Sequence, residues 1–255
     1  MQARIVGMHR GARWLGEGWQ LFRAAPLGWL AMVFAYWLLM TFVSLLPFVG
    51  LAVASVLVPA FSVGFMAAAR AVASGGRLES RLLFEGFRPP AVRTQLALGL
   101  AYLVCLALVL AATTLADGGA LARWMTTGER PGDDVVQSDA FLAALACAAL
   151  FYVPVMMMFW FAPPLAAWHS AGAAKALFFS FVACLMNWRA FLAYGAVTAV
   201  VTLALPFLAL SGLMLASGGA LAVPIMSLVF PLLMLLLPTL FASFYISYRD
   251  VFGPQ

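Results

Sequence analysis

Six continuous apolar stretches, at about residues 27–46, 49–71, 96–116, 141–163, 191–214 and 221–246, constrain this chain more than any other feature. Each is long enough for a helix to cross the roughly 30 Å of membrane hydrocarbon, which takes roughly 20 residues. Lipid offers no partner to a free amide, so such a run spans as a helix that satisfies its own backbone. A barrel strand would alternate polar and apolar residues, and these runs do not. The charge content agrees, at 9% against roughly 25% in an ordinary soluble domain. The expectation is an all-α, polytopic membrane protein with six transmembrane helices, forming a single integral membrane domain over residues 1–255. Its N-terminus is basic and broken by glycines and Trp14, without the apolar core and cleavage site of a signal peptide, so insertion intact is expected.

The charges orient this arrangement. Arg4, Arg10, Arg13 and Arg23 precede the first span, and Arg70, Arg77, Arg81, Arg88 and Arg93 lie between the second and third. Lys175, Arg189 and Arg249 fall on the same side, whereas Arg123 and Arg130 fall on the other. Twelve cations against two place both termini in the cytoplasm of a bacterial inner membrane. The outer loop, residues 117–139, is net acidic through Asp117, Glu129, Asp133, Asp134 and Asp139. Basic residues along the inner face favour anionic lipid as a partner. They are spread over membrane-proximal loops and form no basic module, which argues against nucleic acid.

Three inner stretches precede the odd-numbered spans, and each reads as a short interfacial amphipathic helix: 13–29, 77–90 and 175–191. Aromatic rings would sit inward and guanidinium groups in water. Pro59 is followed eleven positions later by Arg70, Pro164 by Lys175 and Pro238 by Arg249. A proline past mid-span kinks its helix, and a cation three turns on stops it at the interface. Pro59, Pro164 and Pro238 are therefore the expected kinks, with Arg70 and Arg249 as interface cations. The implied unit is an interfacial helix, a span out and a kinked span back. It occurs three times, over 9–76, 77–173 and 174–255. Repeats of this kind place sites where units meet.

Ionisable residues at membrane depth mark enzymes and ion-coupled transporters. Here every Asp, Glu, Lys, Arg and His lies in a loop or at a span end, and the interiors offer only hydroxyls and phenols. Neither HExxH, GxSxG nor a glycine-rich phosphate loop occurs. No catalytic residue, metal site or cofactor is expected. Cys105, Cys147 and Cys184 stand singly and read as small buried hydrophobes. Met156, Met157 and Met158 invite a Cu(I) reading, but consecutive side chains point about 100° apart around a helix. His169, beside Trp168 at the inner end of the fourth span, reads first as an interface anchor. Its alternative role is a headgroup or pH-responsive contact. The turn 170–173 would let Lys175, Asn187 and Arg189 fold close to it, giving His169, Lys175, Asn187 and Arg189 as candidate headgroup or phosphate contacts.

GWQLFRAAPLGW (18–29), GFMAAAR (64–70), LFEGFR (83–88), YVPVMMMFWFAPPLAAWH (152–169), KALFFSFVACLMNWRAF (175–191) and SYRDVF (247–252) cover most of the chain outside the acidic loop. With these stretches the chain resembles an uncharacterised family of proteobacterial inner-membrane proteins. More distantly, the repeated layout looks like the membrane domain attached to some glycerophosphodiester phosphodiesterases. Their soluble catalytic domain and acidic metal cluster have no counterpart here, so that activity does not carry over.

These readings converge on a non-enzymatic membrane protein that binds or organises lipid, or a partner membrane protein, through a basic aromatic inner rim. The alternative is a transporter or flippase-like conduit for a lipid or small apolar solute, gated by the kinked spans. A third reading is an enzyme working at His169.

Overall fold

The structure is a computed structural model that describes residues 2–47, 49–218, 227 and 229–253. Among them every regular element is helical. Five helical segments are long and apolar enough to cross a membrane: Pro26–Ser44, Gly50–Ala73, Ala91–Asp117, Asp139–His169 and Trp188–Ala216. They fall on the first five expected spans. Residues 221–226 and 228 of the expected sixth lie outside the described residues, and the helix Val229–Phe252 carries the rest of it.

The chain runs through α1 (Met8–Ala24), α2 (Pro26–Ser44), α3 (Gly50–Ala73), a 3₁₀ segment (Ser80–Phe87), α4 (Ala91–Asp117), α5 (Ala120–Thr127) and α6 (Asp133–Val136). It continues through α7 (Asp139–Trp160), α8 (Ala162–His169), α9 (Ala173–Met186), α10 (Trp188–Ala199), α11 (Leu205–Ala216) and α12 (Val229–Phe252). A π-helical turn, Val200–Ala204, joins α10 to α11. Pro206 cannot donate to the Thr202 carbonyl, and a widened turn just before it accommodates the missing bond.

Two compact units emerge: Met1–Leu39, Phe61–Glu85 and Ala183–Gln255 in the first, Met40–Ala60 and Gly86–Val182 in the second. In the first unit α1 lies against α10 and α12. Its buried residues, Gly11, Trp14, Leu15, Gly18 and Phe22, recur every three or four positions and so form one stripe. Two of them are glycines because the helices meet backbone to backbone. A Cβ at Gly11 would strike the Ala190 carbonyl, and one at Gly18 would stand 2.6 Å from the Thr239 carbonyl oxygen. Tyr36 of α2 meets Phe61 and Phe65 edge-on, and Phe65 stacks flat on Phe241 at 3.9 Å.

The second unit is built on α4 packed against α7. Gly118, left-handed at φ 64°, ends α4, and its amide returns to the Thr114 carbonyl. The acidic stretch 117–139 is folded. The Asp117 carboxylate accepts from the amides of Gly119 and Leu121 and so opens α5. Ala120 and Leu121 then pack on Phe141 and Ala144 of α7, with Trp124, Val135 and Val136 closing the cluster. Ser138 caps α7 by accepting from the Phe141 amide.

The fourth span is broken at Phe161. Consecutive prolines at 163 and 164 cannot continue the helical ladder, so the chain restarts as α8 with both in its first turn, where amides have no helical acceptor anyway. Pro164 therefore sits beyond the break and does not kink a continuous helix. The prolines inside helices are Pro59, Pro154 and Pro238. Ser180 of α9 fills the break: its hydroxyl accepts from the Phe161 amide at 2.9 Å and donates to the Met157 carbonyl at 2.7 Å. That hydroxyl stands where the i→i−4 bond from Phe161 to Met157 would have been. Lys175 lies past the turn at Ser170, on α9, whereas Arg70 and Arg249 occupy the last turns of α3 and α12. Along α9 the exposed residues are Ala174, Lys175, Phe178, Leu185 and Met186, so Lys175 stands as one charge on a largely apolar surface.

Candidate functional site

The strongest concentration of charge lies where the ends of the first unit meet. Asp250, in the last turn of α12, accepts from Arg10 Nε at 2.8 Å and from the Trp14 indole at 2.9 Å. Arg10 also donates to Glu17 at 2.8 Å, and Arg249 donates to the other Glu17 oxygen at 2.8 Å. The side chain of Asp250 is 11% exposed and that of Glu17 24%, so this is a half-buried network of two cations and two anions. Burial alone would lower the pKa of the Arg10 guanidinium, but hydrogen bonds to Glu17 and Asp250 outweigh it and raise the pKa. Trp14 is fully enclosed, its ring 5.3 Å from Phe191 and 5.7 Å from Tyr194.

Asn187 sits at the joint between α9 and α10 with 1% exposure. Its Oδ1 accepts from the Val6 amide at 2.7 Å, and its Nδ2 donates to the carbonyls of Arg4 (3.0 Å) and Ala183 (2.9 Å). The Arg4 amide completes the clasp by donating to the Val251 carbonyl at 2.7 Å. Residues 4–6 are thus held by a side-chain amide that presents a donor and an acceptor much as a neighbouring strand would. With its amide so used, Asn187 takes the place of a structural clasp and leaves the candidate headgroup set.

The remaining candidates lie on the rims of their own units. Arg189 is exposed beside the half-exposed Trp188 ring, 5.4 Å from its centroid. His169 ends α8, half-buried, just before left-handed Ser170 (φ 52°). Lys175 is exposed on the first turn of α9, 5.9 Å from the Phe179 ring. One turn further along, Met158 of α7 and Leu177, Phe178 and Phe181 of α9 line an open apolar groove of about 320 Å³.

Acids and cations are unevenly used. Glu17 and Asp250 are consumed inside the network, and Glu79 is paired with Arg81. Arg4, Arg13, Arg23, Arg77 and Arg189 of the first unit are exposed and have no ion pair among the described residues. Sequence reasoning placed these arginines at the rim but missed the acid network and the Asn187 clasp. Both join residues more than 180 positions apart, and no local spacing announces them. The one local hint is the pairing of a charged pair, Arg249-Asp250, with an apolar helix end.

Fold and site together define an all-helical membrane protein with a charge-tied pair of chain ends. Over 260 aligned residues the chain is 40% identical to a Burkholderia thailandensis protein described as a "Probable inner membrane protein", matching 100% of this chain and 95% of that one. The chain belongs to the family of that inner-membrane protein. It matches no family model and no solved structure.

Proposed function

We propose that the protein crosses the inner membrane six times with both ends in the cytoplasm, and that it works without catalysis, holding anionic lipid on a basic aromatic inner rim. The Arg4–Val251 bond brings the two chain ends to one side of the first unit. A chain whose ends share a side crosses an even number of times, so five spans and α12 make six. The twelve-to-two distribution of cations favours the cytoplasm for that side.

A threefold repeat is supported by features beyond the proline spacing. Trp29 and Tyr36, Gln95 and Tyr102, Asn187 and Tyr194 are each seven positions apart at the start of an outward span. In each, the first residue and the one three further on (Met32, Leu98, Ala190) are buried. Each preceding segment also turns a small residue onto a proline-containing helix. Gly18 meets the Thr239 carbonyl, Gly86 the Ala60 carbonyl, and Ser180 bonds the Met157 carbonyl.

The observation that carries the lipid reading is the surplus of unpaired, exposed arginines around the rim while the nearby acids are bound internally. Each such cation attracts an anionic headgroup by about 1 kcal/mol. The test is native mass spectrometry of the purified full chain titrated with phosphatidylglycerol or phosphatidylethanolamine. Phosphatidylglycerol should be retained preferentially, and Arg13→Glu, Arg23→Glu and Arg189→Glu combined should erase the preference. Equal retention of the two lipids by the wild type would end this reading.

A further inference from the structure

We propose that the groove between α7 and α9 is a specific phospholipid site, with one acyl chain lying on Met158, Leu177, Phe178 and Phe181 and the lipid phosphate on Lys175. The proposal rests on the lipid-binding reading above and names one site and one ligand class within it. The groove is lined by those four apolar side chains and has a volume of about 320 Å³. A polar ligand would find no hydrogen-bond partner there. Phe178 is 64% exposed, so the groove is open on that side.

Apolar lining alone does not distinguish this groove from the rest of a lipid-facing surface, because hydrocarbon gains little by exchanging one apolar neighbour for another. Lys175 makes the difference. It is the single charge on α9, whose other thirteen residues include no further ionisable group except the buried thiol of Cys184. It is exposed and has no acidic partner among the described residues. Phe178, which lines the groove, follows it by three residues and so shares its side of the helix, and the Lys175 ammonium stands 5.9 Å from the ring of Phe179, the neighbour of Phe178. A lysine at the end of an apolar helix extends its stem along the apolar surface and its ammonium toward the headgroups. An anionic phosphate supplies the missing counter-charge, and the ester-linked chain of the same molecule descends into the groove within about one turn of it. A phospholipid joins those two chemistries in one molecule. Free phosphate would satisfy only Lys175, and a second copy of this chain would need to bring an acid to Lys175 and a ridge to the groove.

The experiment is lipid-resolved native mass spectrometry of the full chain. It compares wild type, Lys175→Glu, Lys175→Arg, Met158→Trp and Phe178→Ala at equal melting temperature. Phosphatidylglycerol, phosphatidylethanolamine and glycerol phosphate are the probes. Lys175→Glu should weaken one phosphatidylglycerol-binding event by more than the roughly fivefold that loss of one interfacial cation gives, and Lys175→Arg should preserve it. Met158→Trp, which fills the groove, should remove one bound lipid of either kind, and glycerol phosphate should not compete. If Lys175→Glu does not stay folded, Lys175→Gln gives the same reading with a smaller loss. Retained preference for phosphatidylglycerol with unchanged binding in Lys175→Glu and Met158→Trp would overturn the site while leaving the rim reading standing. Competition by glycerol phosphate would overturn the acyl-chain half, and a dimer dissociated by Phe178→Ala would assign the groove to a second copy.

Discussion

The α10–α12 pair of the first unit and the α4–α7 pair of the second have the same plan but are secured by different physics. In the first, α1 lies across the helices and ties them with charge: Arg10, Glu17, Arg249 and Asp250 interlock around the Trp14 indole. In the second, α9 does the comparable job with no charge at all, through a single hydroxyl inserted in a helix break. Both inserted segments present a small residue to a backbone carbonyl, so the close approach is shared and the polar fastening is not. The difference follows burial: the Asp250 and Glu17 side chains keep 11% and 24% exposure, whereas Ser180 is fully buried, where a charge would be expensive and a hydroxyl that satisfies two backbone groups is cheap.

The largest expected effect tests the charged fastening. Asp250→Ala strands the Trp14 indole and one face of Arg10 in a half-buried setting, and removing one partner from such a pair costs about 3 kcal/mol. Denaturation of the purified protein in detergent should show that loss, together with protease sensitivity of residues 2–7. Glu17→Ala should cost less, about 1 kcal/mol, because that carboxylate is more exposed and screened. An Asp250→Ala variant as stable as wild type would mean that the network is decoration on a helix pair held by α1's apolar stripe.

Next in size is the uncharged fastening. Ser180→Ala leaves the Phe161 amide and the Met157 carbonyl without partners at the break, which should cost about 1–2 kcal/mol in the same assay. Ser180→Thr keeps the hydroxyl and should recover part of the loss. Should Ser180→Ala exceed Asp250→Ala, the ranking of charge over hydroxyl proposed for the two units is reversed.

What the sequence made legible follows from the same division. Span positions were readable because apolar length is a local property, and five helices lie where the runs predicted. The reading of 117–139 as an acidic loop missed α5, since its apolar face is only Ala120, Leu121 and Trp124, too short a pattern to stand out. Spacing aligns Pro164 with Pro59 and Pro238 and so predicts a kink there. The adjacent Pro163 and the partner hydroxyl on α9 instead convert that position into the first turn of a new helix. Proximity along the chain groups Asn187 with the cations, whereas its amide is spent on Arg4 and Val6. Spacing along one helix reveals which side chains share a face, but not which distant backbone arrives there.

The smallest expected effect is also the cleanest comparison, because among the described residues a phenol bond joins the two helices of each unit. Tyr194 bonds Ser243 at 2.7 Å, and since the Ser243 hydrogen goes to the Leu240 carbonyl, Tyr194 is the donor. Tyr102 and Tyr152 approach at 3.1 Å. The first bond is buried beneath the Trp14 ring, whereas Tyr102 and Tyr152 are only half-buried. A double-mutant cycle with Tyr102→Phe and Tyr152→Phe removes oxygens while keeping both rings, so it isolates the bond, and about 0.5 kcal/mol of coupling is expected. The corresponding cycle with Tyr194→Phe and Ser243→Ala should give up to about 1.5 kcal/mol, since water competes less for a bond that α1 covers. If Asp250→Ala is then introduced, the Tyr194–Ser243 coupling should fall toward the Tyr102–Tyr152 value, because loosening α1 lets water reach the phenol. Unchanged coupling in that background would show that the charged clasp and the helix pair beneath it are independent.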